Sequence, residues 1–418
     1  MGGGAAGGSG SIPGTAFGGA TDPGMLQIQE GFRIIPSIMV GERYDSNVFY
    51  APKTPGLNRE DFVTTTVPQV RGLYVGSLVS VNAMASAVGE YYAKNTALSY
   101  VGTNTGAIVD VSKLASQLRE GTRLTVFDTY SYTPQPPAFL AGDLSGEGTN
   151  PYLRGFQAGR ANMQSNVFGA NLSVPLTQVV SVIGGYTNGF MKFGSSELQQ
   201  PGSLIDTSFV TYTAGLSMKA SLRDTVSLNL INSEYDAGAQ GVFTTRGGTV
   251  GWNHLFTPNV SMFSTAGVQQ VESKFSGAPS STSIAPLGSL ALLWKDDATT
   301  MTVAYNVGVT PSYQFQSQAL LTHVASVSLT QQTAIPDLLG IASVNYGRGD
   351  ELGSASASTA SSLSYVAWGG TGGLMYRFTP KTFLGLTYSY SNNDQSFGGQ
   401  SFRIDRQVVQ MSLSQAFY

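Results

Sequence analysis

The chain has 418 residues, 11% of them charged, with 51 glycines, no cysteine, two histidines and a net charge of −3. Without cysteine there is no disulfide scaffold, iron–sulfur cluster or thiolate zinc site, and without an excess of Lys and Arg to neutralise phosphates nucleic acid is not an expected partner. Few charges, many small residues, 20 tyrosines and a mean hydropathy of +0.01 fit one class, the transmembrane antiparallel β-barrel of a bacterial outer membrane, whose strands alternate lipid-facing and lumen-facing residues.

Residues 1–25 are rich in Gly, Ala and Ser and read as a flexible tail. They lack the charged start and apolar stretch of a secretory signal. Gly2, Gly4 and Gly7 match the spacing of a dinucleotide-binding loop, but no strand precedes them and no helix follows, so no cofactor is expected. Residues 26–418 read as a single barrel domain.

The first strand, centred on Ile38, runs into Tyr44-Asp45-Ser46-Asn47. Asp, Ser and Asn bond nearby backbone and form turns, and Tyr44, Phe49 and Tyr50 flank them as an interfacial aromatic girdle would. The same oxygens could ligate a hard cation, but with one local carboxylate the turn is the stronger reading and no metal site is assigned. Further on come Arg59-Glu60-Asp61-Phe62, Glu90-Tyr91-Tyr92, Ala97-Leu98-Ser99-Tyr100 and Asp128-Thr129-Tyr130-Ser131-Tyr132-Thr133. This series, over 31–133, resembles the N-terminal third of the β-barrel porin 2 family. The resemblance implies an outer-membrane barrel and, since members accompany exopolysaccharide loci, a conduit for secreted polysaccharide with periplasmic export components as partners.

Clean period-two alternation follows. Val210, Tyr212, Ala214, Leu216 and Met218 oppose Thr211, Thr213, Gly215 and Ser217; Met301, Val303, Tyr305, Val307 and Val309 oppose Thr302, Ala304, Asn306, Gly308 and Thr310. One greasy and one wet face are thus predicted. Short turns such as Phe256-Thr257-Pro258-Asn259 alternate with long polar connections such as 134–160, the pattern of short periplasmic turns and longer extracellular loops. The alternation predicts about 18 strands, in a range of 16–18. Their centres are Ile38, Thr66, Ala83, Val109, Val126, Phe168, Ile183, Ala214, Leu228, Val250, Thr265, Leu290, Tyr305, Ser326, Ser343, Gly370, Leu386 and Met411. The last strand, 402–418, carries Val409, Met411, Leu413 and Phe417 on one face. It resembles the C-terminal signal read by barrel-insertion machinery, so that machinery, lipid and lipopolysaccharide are the expected partners.

Charges inside strands are the candidate lumen residues, because Arg or Lys facing lipid at mid-membrane costs about 2–4 kcal/mol. They are Arg33, Arg71, Arg123, Asp128, Lys219, Arg246, Arg348, Arg377 and Arg403, with Asp110, Glu272, Asp405 and Arg406 as further positions at the lumen or the membrane edges. Tyr74, Tyr92, Tyr130, Tyr132, Tyr186, Tyr235, Tyr376 and Tyr390 lie near strand ends and are read as the girdle. His254, beside Trp252, and His323 have no acidic neighbour in sequence, and no nucleophile elbow or zinc motif accompanies them, so no catalytic residue is assigned. Three functions are expected in turn: an exopolysaccharide conduit, which the resemblance implies; a general diffusion porin, which the polar lining favours; or a scaffold barrel that holds a partner.

Overall fold

The computed structural model describes residues 31–53, 58–133, 161–196, 205–275, 280–311, 319–352, 364–397 and 400–417. The tail 1–25 and the connection 134–160 lie outside them.

Eighteen strands form one antiparallel sheet. In chain order they are β1 (Gly31–Asp45), β2 (Asp61–Val75), β3 (Ser80–Tyr92), β4 (Tyr100–Asp110), β5 (Arg123–Thr133), β6 (Ala161–Pro175), β7 (Val180–Ser196), β8 (Thr207–Lys219), β9 (Asp224–Asp236), β10 (Gly241–Thr257), β11 (Val260–Phe275), β12 (Ser281–Lys295), β13 (Thr299–Pro311), β14 (Ala319–Gln332), β15 (Leu338–Glu351), β16 (Ser364–Thr379), β17 (Thr382–Phe397) and β18 (Gln400–Ala416). Every predicted centre falls inside its strand. Each strand pairs with the next, and β1 closes on β18 with Ser37–Asp45 against Val408–Ala416. Closure leaves no sheet edge in the hydrocarbon, where unpaired backbone groups are costly.

Odd strands rise to the long-connection, extracellular end and even strands descend to the short-turn, periplasmic end. One periplasmic turn is longer and holds a helix, α1 (Ser112–Leu118), which explains the weak strand pattern next to Ile108. The turn before β15 has Asp337 at φ 64, a left-handed position that Asp tolerates better than most residues.

The register and alternating exposure sort each strand into two rows. The outward row of β11 is Val260, Met262, Ser264, Ala266 and Val268, then Gln270, Glu272 and Lys274. On β18 it is Leu413, Met411 and Val409, then Gln407, Asp405 and Arg403. At ~3.3 Å per residue and a tilt of ~40°, Val260 to Val268 spans roughly 20 Å, close to the apolar height of an outer membrane. Phe32 is 67% exposed and Val268 61%; such a belt is stable only against lipid. Above it the strands continue past the membrane with polar outward rows.

The inward rows are mostly Ser, Thr, Asn, Gln and Gly, as in Thr211, Thr213, Gly215 and Ser217. At Gly267 a Cβ would run into the Gly248 carbonyl oxygen, so the close approach of β10 and β11 requires glycine there. Two apolar clusters sit at the extracellular end. One gathers Met191, Phe209, Tyr235, Phe243, Val271 and Ala285 from β7 to β12; the other packs Val48, Val63, Tyr92 and Leu98 under the first connection.

Candidate functional site

The inward rows define a lumen with two chemically different ends. At the periplasmic end they carry Arg33, Arg71, Arg123, Lys219 and Lys295. Arg377, on the same row of β16, is taken by the turn carboxylate of Asp337. Arg71 donates from Nε to Asn82 Oδ1 at 3.1 Å. Asp110 is the one carboxylate on the inward rows at this level among the described residues; it accepts the Ser112 backbone N–H at 2.8 Å. The middle of the lumen is neutral and hydroxyl-rich.

At the extracellular end two ion pairs are buried against one stretch of wall, β18–β1–β2–β3, beside Asp61, whose carboxylate accepts the Lys94 and Asn95 backbone N–H groups. Arg43 reaches Glu90 through both terminal nitrogens, at 2.8 and 3.0 Å, and Tyr92 Oη donates to the same carboxylate at 2.7 Å. Arg406 grips Asp45 bidentately, Nη2 to Oδ2 at 2.6 Å and Nε to Oδ1 at 3.0 Å, with its guanidinium 4.3 Å from the Tyr50 ring centroid. Within these pairs two cations face two carboxylates.

The Tyr44-Asp45-Ser46-Asn47 motif makes the turn expected of it. The Asn47 N–H donates to Asp45 Oδ1 at 3.0 Å. It does more, because the partners come from the last strand. Ser46 N–H donates to the Gln407 carbonyl at 3.0 Å, Gln407 N–H to Ser46 Oγ at 2.8 Å, and Asn47 Nδ2 to the Asp405 carbonyl at 3.1 Å. With Asp45 and Asn47 at 1% and 0% exposure, the motif is a clasp across the closing seam. Burial pushes the Tyr50 phenol pKa up. Outside the wall, Glu60 accepts from Lys94 Nζ and Tyr44 Oη, both at 3.0 Å, which hold its carboxyl below the usual glutamate range. Among the described residues no group of His, Asp and Glu is arranged to hold a metal.

Four candidate lumen residues face outward instead. Arg246 points out beside Glu272, Arg348 pairs with Asp350 at 2.7 Å, and Arg403 lies 3.8 Å from Asp394. Asp128 accepts from Asn166 Nδ2 at 2.7 Å, level with Phe168, the top apolar residue of the outward β6 row. The argument that charge must avoid lipid holds at mid-membrane. These four sit at or above the upper edge of the belt, where the cost of a charge falls to about 0–1 kcal/mol. Because the strands extend beyond the bilayer, an outward charge there meets headgroups or water. Glu272 and Asp405 are outward in the same zone, and Asp110 and Arg406 are inward.

The girdle also needs correction. Tyr74, Tyr130, Tyr132, Tyr186, Tyr376 and Tyr390 lie on outward rows, with Tyr186–Tyr212 and Trp368–Tyr390 ring pairs at 5.4 and 5.0 Å. Tyr92 and Tyr235 are inward and buried, at 6% and 3% exposure. His254 does have an acidic partner, supplied by β9: Asp224 Oδ1 lies 2.6 Å from Nδ1. The same carboxylate accepts from Trp252 Nε1 and Ser221 Oγ. Serine and histidine thus both bond to Asp224 rather than in series, so this is a polar anchor at the periplasmic girdle and lacks the order of a nucleophilic triad. His323 Nδ1 is 2.7 Å from Tyr305 Oη on the outer face.

These features define the class: a closed, eighteen-strand β-barrel of the bacterial outer membrane. Among solved structures, the chain is similar to OccK1 (OpdK) of Pseudomonas aeruginosa, with a TM-score of 0.50 and 13% identity over 93% of this chain and 100% of that one. It also matches a second structure of the outer membrane protein OpdK from the same organism, at 0.48, 13%, 93% and 100%, and a BenF-like porin from Pseudomonas fluorescens Pf-5, at 0.46, 11%, 92% and 99%. At these identities the likeness is one of fold. No family model and no curated protein matches the chain, so the resemblance to the β-barrel porin 2 family stands on the motifs alone.

Proposed function

We propose that this barrel is a porin, a passive aqueous channel for small hydrophilic solutes that favours anions. The observation that carries this is the chemistry of the inward rows: hydroxyls and amides through the middle, and at the periplasmic end Arg33, Arg71, Arg123, Lys219 and Lys295 against Asp110. A ring of cations within a low-dielectric wall raises local anion concentration and repels cations. Barrels of this strand number are wide enough to hold water. Polysaccharide export rests on the family resemblance, and among the described residues none on the inward rows favours it over a small solute. The reversal potential in a KCl gradient across a planar bilayer tests the reading. Chloride should pass faster than potassium, and Arg71→Glu with Lys219→Glu should shift the ratio toward potassium. A cation-selective wild type would overturn the anion preference, and a silent barrel would favour the scaffold.

A further inference from the structure

The wall is not paired everywhere to the same height. Between β12 and β13 the register runs only from Gly288–Lys295 against Thr300–Val307. Both strands continue upward, β12 held by β11 through Ser281 and β13 held by β14 through Pro311. Ile284–Leu287 and Gly308–Pro311 are therefore extended segments facing each other without a ladder. Among the described residues no other neighbouring pair of strands runs on so far past its last pairing on both sides.

The direction of the backbone groups shows why. Lys295 N–H donates to the Asn259 carbonyl on the β11 side, and Asp296 N–H to the Thr299 carbonyl on the β13 side. Even residues of β12 thus address β13, and odd residues of β13 address β12. Pro286 and Pro311 both fall on the slot-facing set, so each edge lacks an N–H where the ladder would continue. Prolines on facing edges also deter capture of a foreign strand.

Chemistry on the two sides of the slot is apolar. Leu287 faces the lumen at its base and leans toward Gly308. Ala285 and Val271 belong to the inward cluster, and Val309, outward by register, is buried in that same cluster at 3% exposure. Across the slot Ile284 is 77% exposed on the outer face. Because Pro286 pairs with Val268, the last apolar residue of the outward β11 row, the unladdered stretch begins where the belt meets the headgroups.

We propose that the slot between upper β12 and β13 is a lateral portal joining the lumen to the outer leaflet, serving amphipathic solutes with an apolar segment and a polar head. The apolar path lets the tail pass sideways, and the unladdered amides of Ile284 and Val309 give the head polar partners on the way.

The absence of native cysteine makes the test clean. Continuing the register places Pro286 opposite Val309, so Pro286→Cys with Val309→Cys closes the slot on oxidation. In planar bilayers, decyl sulfonate delivered in the lipid should block the current of the reduced protein, and oxidation should reduce that block at least tenfold while the KCl conductance stays the same. An unchanged block after complete oxidation overturns the portal. This assay rests on the porin reading, so a second readout does not use current. Bimane on Leu287→Cys, at the slot base, should be quenched by spin-labelled lipid, whereas bimane on Ala291→Cys, inward on the laddered part, should not. Equal quenching at both sites also overturns the portal. A silent channel with selective quenching at Leu287→Cys would sink the porin reading and leave the portal standing.

Discussion

Replacing Asp45 with Ala should open the barrel at its seam. Asp45 is 1% exposed, accepts two hydrogen bonds from Arg406, lies 3.7 Å from Arg43 Nε and accepts the Asn47 N–H. Removing the carboxylate leaves the Arg406 guanidinium, whose side chain is 18% exposed, without its counter-charge. Removing one partner of a buried ion pair costs about 3–5 kcal/mol, far more than the pair itself contributes over an apolar replacement. The partial exposure of Arg406 places the expected loss near ~3 kcal/mol. Asp45→Ala combined with Arg406→Met should therefore recover at least half of it, since no charge is then stranded. Urea unfolding in a detergent or lipid host, followed by the mobility shift between folded and heated forms on a gel, gives both values. A single-mutant loss below ~1 kcal/mol, the range of an exposed pair, would refute the clasp, as would strict additivity of the two substitutions.

Ion selectivity separates the rows: Arg123→Glu should reduce anion preference, while Arg246→Ala, Arg348→Ala and Arg403→Ala, which are outward, should leave the reversal potential where it was. A shift from any of these three would contradict the register. Gly267→Val should destabilise the barrel by about 1–3 kcal/mol, as overpacking does, and an unchanged urea midpoint would refute the close β10–β11 contact. The Glu60 carboxyl is held below its ordinary value of 4.5, first by the Lys94 bond and then by Tyr44. A depressed folded-state pKa gives stability that is present above the ordinary value and is lost as pH falls through the folded one. Glu60→Gln should accordingly flatten the acid limb of the stability curve below 4.5, and a limb of unchanged slope would rule out that contribution.

The period-two pattern made the barrel legible because lipid and water impose opposite demands on alternate residues, and all eighteen predicted centres fall in strands. Arg33, Arg71, Arg123 and Lys219 could be assigned inward because they continue polar rows. Arg348 and Arg403 could not be assigned by charge alone, because the cost of a charge depends on depth and the sequence does not mark where the bilayer stops. The distance down each outward row to its first apolar residues carries that depth: Tyr346 and Val344 lie two and four residues below Arg348, and Val409 lies six below Arg403. Tyr92 and Tyr235 lie near strand ends, as girdle residues do, but their parity is inward, and it was parity that should have decided. Asp45 looked like a turn former because its local partner, Asn47, is two residues away, while Arg406 is 361 away. The slot left only a weak mark in the sequence, Pro286 and Pro311, because Pro36 and Pro68 also lie inside strands and are laddered.

The seam clasp has a further consequence for assembly. Ser46, Asp45 and Asn47 find Gln407, Arg406 and Asp405 only when β18 lies beside β1 in the register of Asp45 against Val408. A nascent barrel that closes with β1 on a strand other than β18, or slips by two residues on closure, brings other side chains to that position and strands Asp45 and Arg406 apart. The first connection and the last strand thus verify the closing register together, and a chain that lacks either of them cannot form the clasp.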